Sequence, residues 1–251
     1  MIKFFRRIRQ RLLSENKFSK YLIYAIGETI LVVIGILIAL SINNWNEDKK
    51  ARIYEEKMLT EIRNVLIKDV YFFENHLIGR RIARIQRASQ FFENYILTDS
   101  ISRDSINYHY IGLSTGLQVT YNRGPFEALK STGIDRIIND SLRNMIVDLY
   151  EFELPRTAGL IKIYMDEYMT NAKKYEDSLR DDMQIDIQNK QVFYYYNKMK
   201  EVDLKTNQSF LSLLSWGSNS SKQILHLFNS ILPKMKALTV QIDKELNHHK
   251  K

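Results

Sequence analysis

From Tyr21 to Ile42 the chain reads YLIYAIGETILVVIGILIALSI, an apolar run whose one charge is Glu28. At about 1.5 Å of rise per residue such a run crosses the ~30 Å hydrocarbon core of a bilayer, and it predicts a transmembrane helix. The pattern then turns polar around Trp45, an aromatic suited to a membrane interface. Beyond it, apolar residues recur in steps of three and four at Leu59, Ile62, Leu66, Val70, Phe73 and Leu77, and again at Ile85, Ala88, Phe92 and Tyr95. That period marks one buried face of a long helix. Neither Gly nor Pro lies between Ile42 and Ile53, so the span is expected to continue into this helix, which Thr98-Asp99-Ser100 ends.

Shorter elements follow. A helix is expected over 105–115, with Ile106, Tyr110 and Leu113 inward. Asn122-Arg123-Gly124-Pro125 reads as a turn opening another helix, Pro125 fitting its first position. Gly133 suits the left-handed residue that ends it. Asn139 can cap the next helix, which carries Leu142, Ile146 and Leu149 on one side, and Pro155 is expected to interrupt. Ile161, Met165, Tyr168, Ala172, Tyr175 and Leu179 then step close to a heptad seam. From Asp181 to about Asn207 the pattern weakens, and Phe193-Tyr194-Tyr195-Tyr196 fits a strand or a helix. Ser220 and Gln223 have capping-box spacing and place the start of the last helix there. Its seam runs Ile224, Phe228, Ile231, Met235, Leu238, Ile242 and Leu246, with a kink expected at Pro233.

Charge orients this arrangement. Residues 1–20 carry Lys3, Arg6, Arg7, Arg9, Arg11, Lys17 and Lys20 against Glu15. After the span, Lys49, Lys50, Arg52 and Lys57 are offset by Glu47, Asp48, Glu55 and Glu56. Basic residues stay on the cytoplasmic side, so the N-terminus is expected inside and the large C-terminal part outside. A cleaved signal peptide is the rival reading, since Ala39-Leu40-Ser41 is a small-x-small pattern. The apolar run exceeds the roughly 7–15 residues usual in such peptides, which favours a retained anchor.

The predicted fold is therefore all-α: an N-terminal transmembrane helix continuing into a long helix of an extracytoplasmic helical bundle. Its divisions are 1–20, a basic juxtamembrane segment; 21–42, the span; and 43–251, the bundle.

The net charge of +8 does not indicate nucleic-acid binding, because residues 1–42 alone hold seven basic and two acidic groups. Beside an anionic leaflet each of those bases is worth about 1 kcal/mol. Phe4, Phe5, Ile8, Leu12 and Leu13 interleave with them at helical spacing. That fits a helix lying on the lipid surface, and equally a plain orienting signal.

Glu28 sits about two turns into the span, where a carboxylate costs on the order of 2.5–3.5 kcal/mol. It can protonate, pair with a group on another membrane helix, or reach water through local thinning. Gly27, Gly35 and Ala39 share a stripe that Glu28 borders. Small residues let two backbones approach, and a polar group can then bond across the contact. The expected partner is a second copy of the chain or another membrane protein.

Catalytic chemistry is hard to find. The chain has no cysteine, hence no disulfide, thiolate metal site or cysteine nucleophile. No phosphate-cradling glycine motif occurs, and Lys130-Ser131 lacks the preceding glycines. Asp181, Asp182 and Asp186 lack the glycine and closing glutamate of a calcium loop. His76, His109 and His226 have no second His or carboxylate at zinc spacing on the same face, and His248-His249 reads as a frayed terminus rather than a trap for a stray metal. No catalytic residue, metal ligand or cofactor is expected, and the chain reads as non-enzymatic. The tyrosines 164, 168, 175 and 194–196, with Trp216, fit either a ligand groove or a bundle core.

Met1-Ile2-Lys3-Phe4-Phe5-Arg6, the run Tyr24-Ala25-Ile26-Gly27-Glu28 through Ile34 to Leu40, and Ile42-Asn43-Asn44-Trp45-Asn46-Glu47 carry a resemblance. They are similar to a domain-of-unknown-function family of small membrane proteins from flavobacteria and related Bacteroidetes. A weaker match is Phe126 to Gly133 with Ile137-Ile138-Asn139 and Leu142-Arg143. The resemblance implies a Gram-negative inner-membrane protein with a periplasmic helical domain, and no known activity. Because it is concentrated at 126–143 outside the membrane, Lys130 and Arg143 are candidates for a partner-facing surface; a structural corner is the competing reading. The function expected is a membrane-anchored partner-binding or assembly module. The alternative is a sensory or ligand-binding bundle that signals through a partner membrane protein, since only about twenty residues precede the span.

Overall fold

The computed structural model describes residues 10, 18–98, 103–180, 183–188, 190–196, 200 and 202–248. The class is all-α, as the periodicity predicts, with one small β-hairpin. In chain order, α1 is Phe18–Phe72, a π-helical segment is Phe73–Ile82, α2 is Ala83–Thr98 and α3 is Arg103–Leu113. Helix α4 is Gly124–Thr132, followed by a 3-10 turn at Ile134–Arg136, α5 at Asp140–Val147 and a second π-helical segment at Asp148–Glu153. Helix α6 is Leu154–Leu179, β1 and β2 are Met183–Gln188 and Gln191–Tyr196, and α7 is Gln208–His248. Contacts divide the chain into two compact units, Met1–Glu55 and Glu56–Lys251.

In the first unit the apolar window of α1 is wholly unburied. Ile30, Leu31, Val32, Val33, Ile34, Ile36, Leu37, Ile38, Leu40 and Ile42 are all exposed.

The second unit is built around α7. Pairs between α7 and the chain from Arg63 to Glu93 run in opposite directions: Arg63–Asp243, Glu74–Lys236, Phe73–Phe228 and Glu93–Ser218. Helix α6 is also antiparallel to α7, with Glu153 paired to Lys234 and Tyr168 beside Gly217. All of the predicted α7 seam from Ile224 to Ile242 is buried, as are Ile161, Met165, Tyr168, Ala172 and Leu179 on α6. Helices α2 and α3 form a tight pair in which Gly112 lies against Ala88 and His109 stacks on Phe91. Phe193–Tyr196 resolves as strand: β1 and β2 pair antiparallel, with Ile187 opposite Val192.

Three expectations need correction. The last helix begins at Gln208 rather than Ser220, capped by the Asn207 side chain, which accepts from the Phe210 N–H at 3.0 Å. Ser220 is buried inside it, because the small residues Gly217, Ser218, Ser220 and Ser221 form a packing surface there. Pro155 does not interrupt: it follows the second π-helical segment, and the backbone stays helical from Asp140 to Leu179. A widened turn just before a proline relieves the clash its ring makes with the carbonyl four residues back. Finally, the seam after Leu77 shifts by five to Ile82, as the wider turns of the first π-helical segment require, so Ile82 joins the core. Helix α7 runs unbroken through Pro233.

Candidate functional site

Within the second unit, a cleft of about 360 Å³ opens beside the first π-helical segment. One wall comes from Phe72, His76, Leu77, Arg80 and Arg81, the other from Gly116, Leu117 and Gln118 in the connection after α3. The Phe72 and His76 rings stack at 5.5 Å and 25°. Gly116 lets the connection pass close to α6, where an added Cβ would lie 3.1 Å from the Met169 sulfur. Gly79 faces the widened turn, and a Cβ there would stand 3.1 Å from the Glu74 carbonyl oxygen.

The electrostatics here are lopsided. From Asn75 to Phe92 the sequence holds Arg80, Arg81, Arg84 and Arg87 and no carboxylate. All four are exposed, and none forms an ion pair among the described residues. The flanking acids are committed, Glu74 to Lys236 at 2.6 Å and Glu93 to the Ser218 hydroxyl at 3.0 Å. Burial lowers the pKa of His109, and the nearby Arg87 charge lowers it further. The sequence reading missed this place. Its signal was present, since steps of 80, 84 and 87 put three arginines on one helical face.

A second polar cluster holds the corner that contains Lys130. The Asn122 N–H donates to Asp69 at 3.0 Å, Arg123 pairs with Glu127 at 2.8 Å, and Lys130 pairs with Glu151 at 2.7 Å. Phe126 stacks on buried Tyr150 at 4.9 Å and 7°. Burial raises the Asp69 carboxyl pKa, opposed by the Asn122 amide, and burial pushes the Tyr150 hydroxyl well up. The hydrogen bond from Lys130 holds the Glu151 carboxyl low. Arg143 lies apart from Lys130, donating to the Ile137 carbonyl at 3.0 Å and pairing with Asp140 at 2.6 Å. Both candidate partner residues are thus engaged within the fold. Gly133 has φ +109° as expected, but its ψ of 115° lies outside the left-handed helical region and leads into the 3-10 turn.

On α1, Gly27 and Gly35 have open space where a Cβ would stand, and Ala39 is exposed. Glu28 is half-buried on the same helix. Lys3, Arg6, Arg7, Arg9 and Arg11 lie outside the described residues, as do Asp181 and Asp182. Among the described residues no three His, Asp or Glu side chains converge as a metal site.

A family model matches residues 28–169, that of a family of unknown function, DUF6090. The chain belongs to this family. The match takes in the apolar part of α1 from Glu28 onward, both walls of the cleft and the whole Lys130 corner, and ends within α6. No match is found among curated proteins or among solved structures.

Proposed function

We propose that this DUF6090 member is a membrane-anchored helical module that binds a partner and performs no catalysis. In this reading α1 stays in the inner membrane as a single pass, the N-terminus is cytoplasmic and the bundle is periplasmic. The carrying observation is the apolar window of α1, none of which is buried. Exposing so many Ile, Leu and Val side chains to water would forfeit about 1.5–3 kcal/mol each, whereas lipid accepts them without cost. The Gly27, Gly35 and Ala39 stripe then offers a docking face for a second copy or another span, and the basic residues before it favour an anionic leaflet.

Protease added to intact spheroplasts tests the orientation. Digestion beyond Trp45 is expected, with the fragment before it protected. Protection of the C-terminal part until lysis would reverse the orientation, and a mature N-terminus near Ile42 would refute the anchor.

A ligand-sensing reading is favoured by one feature, the arginine-lined cleft. It would act through a partner that supplies the cytoplasmic output.

A further inference from the structure

We infer that the cleft is a binding site for a small phosphorylated organic molecule. Arg80 and Arg81 supply the anion contacts. Several basic residues elsewhere in the unit are taken up by carboxylates, as Arg123, Lys130, Lys234 and Lys236 are. Arg80 and Arg81 form no ion pair among the described residues, and both line one concave space. A guanidinium presents a rigid fork of donors that matches phosphate oxygens two at a time, more exactingly than a lysine point charge.

The widened helical turn brings the two together. Consecutive residues diverge by about 100° around an α-helix and by less where bonds run from i to i+5, so Arg80 and Arg81 can serve one ligand. The stacked Phe72 and His76 rings give the same cleft a flat apolar surface for the ligand body. About 360 Å³ is the size of a small-metabolite pocket rather than a protein groove. Arg84 and Arg87 continue the positive field outward along α2, which draws anions toward the mouth. Glu74, the carboxylate next to this segment in sequence, is held by Lys236.

The site does not depend on membrane insertion, so its test leaves the topology question untouched. Full-length protein in neutral detergent is titrated calorimetrically with inorganic phosphate, glycerol 3-phosphate and phenyl phosphate, with benzyl alcohol as the uncharged control. Saturable binding of a phosphate ester, weakened by salt and absent for benzyl alcohol, is expected. Preference for phenyl phosphate would identify an aromatic phosphate ester as the ligand type, and preference for glycerol 3-phosphate an aliphatic one; either supports the site.

Arg80→Gln with Arg81→Gln is expected to weaken binding by tenfold or more at an unchanged melting temperature. Arg80→Lys with Arg81→Lys restores only part of it, because the charge returns without the fork. Arg84→Gln with Arg87→Gln changes affinity by less than threefold. The inference is overturned if no phosphate probe saturates, or if the Arg80/Arg81 glutamine variant binds as the parent does. Tight binding of polyglutamate that depends on Arg84 and Arg87 instead would also overturn it, in favour of an acidic protein surface.

Discussion

The side-chain amide of Asn139 donates to the Glu245 carboxylate at 2.7 Å, tying the start of α5 to the end of α7. The same amide accepts from the Leu142 N–H at 3.1 Å, so one residue caps a helix and clasps another. Asn139→Ala removes both bonds and is expected to cost about 1–2 kcal/mol by urea unfolding, the upper range for a lost cap. Asn139→Asp is the sharper test. An aspartate still accepts from Leu142, yet it sets a carboxylate against Glu245 and has no amide to donate. It is expected to be less stable than the parent at neutral pH. Equal stability of Asn139→Asp and parent at neutral pH would show that the clasp contributes nothing.

Close packing of α2 on α3 makes a second prediction. An added Cβ at Gly112 would stand 2.8 Å from the Ala88 Cβ and 3.3 Å from the Arg84 carbonyl oxygen. Neither atom is the free end of a flexible side chain, so the helices must separate. Replacing glycine by alanine inside a helix gains roughly 0.5–1 kcal/mol, while overpacking costs roughly 1–3 kcal/mol. The second term wins, and Gly112→Ala is expected to lower stability. Adding Ala88→Gly removes the clash, so the double variant should lose less than the two single losses combined. Strict additivity of the two changes would disprove the contact.

Glu151 sets a pH dependence. Its bond from Lys130 holds the folded-state pKa below the ordinary 4.5, so its contribution is complete above that value. It is lost as pH falls through the lower folded-state value, because the unfolded chain then binds the proton more readily. Lys130 is shifted the other way, above 10.5, and its share is lost only as pH rises beyond that. Glu151→Gln should therefore flatten the stability profile on the acid side and leave the shape near neutrality unaltered. Parallel acid limbs for variant and parent would show that the pair carries no linkage.

Seams were readable wherever burial depends on period alone. Leu59, Ile62, Leu66 and the α7 series from Ile224 to Ile242 are buried as their spacing requires. Helix ends were readable where one side chain decides them: Asn139 does cap, and Gly133 does take positive φ. Misreadings arose where the same residue types serve two purposes. Serine is both a cap and a small packing residue, and Ser220 is the second. Proline is both a breaker and a neighbour of widened turns, and Pro155 is the second. The arginines of the cleft stood in the sequence, but its other wall, Gly116 to Gln118, reaches them only through the fold of α2 on α3.

The last prediction concerns the apolar half of α1. Lipid gives two spans no hydrophobic reason to associate, so close backbone packing and interhelical hydrogen bonds must drive it. Gly27 and Gly35 leave open space on the helix surface, and Ala39 continues the same stripe. Such bonds are worth about 1–2 kcal/mol, a factor of roughly 5–30 in an association constant, enough to shift a weak equilibrium. The full-length chain, labelled at its N-terminus and reconstituted at low protein-to-lipid ratio, would report association by energy transfer. Gly35→Ile should separate the backbones and reduce transfer, and Glu28→Leu should reduce it by removing a polar group that can bond across the contact. Glu28→Gln keeps a donor and an acceptor without the charge, so transfer should largely persist. Equal transfer in the parent, Gly35→Ile and Glu28→Leu would exclude this stripe as a contact between copies. The partner would then have to be another membrane protein, and crosslinking from positions 27 and 35 in native membranes would be the way to capture it.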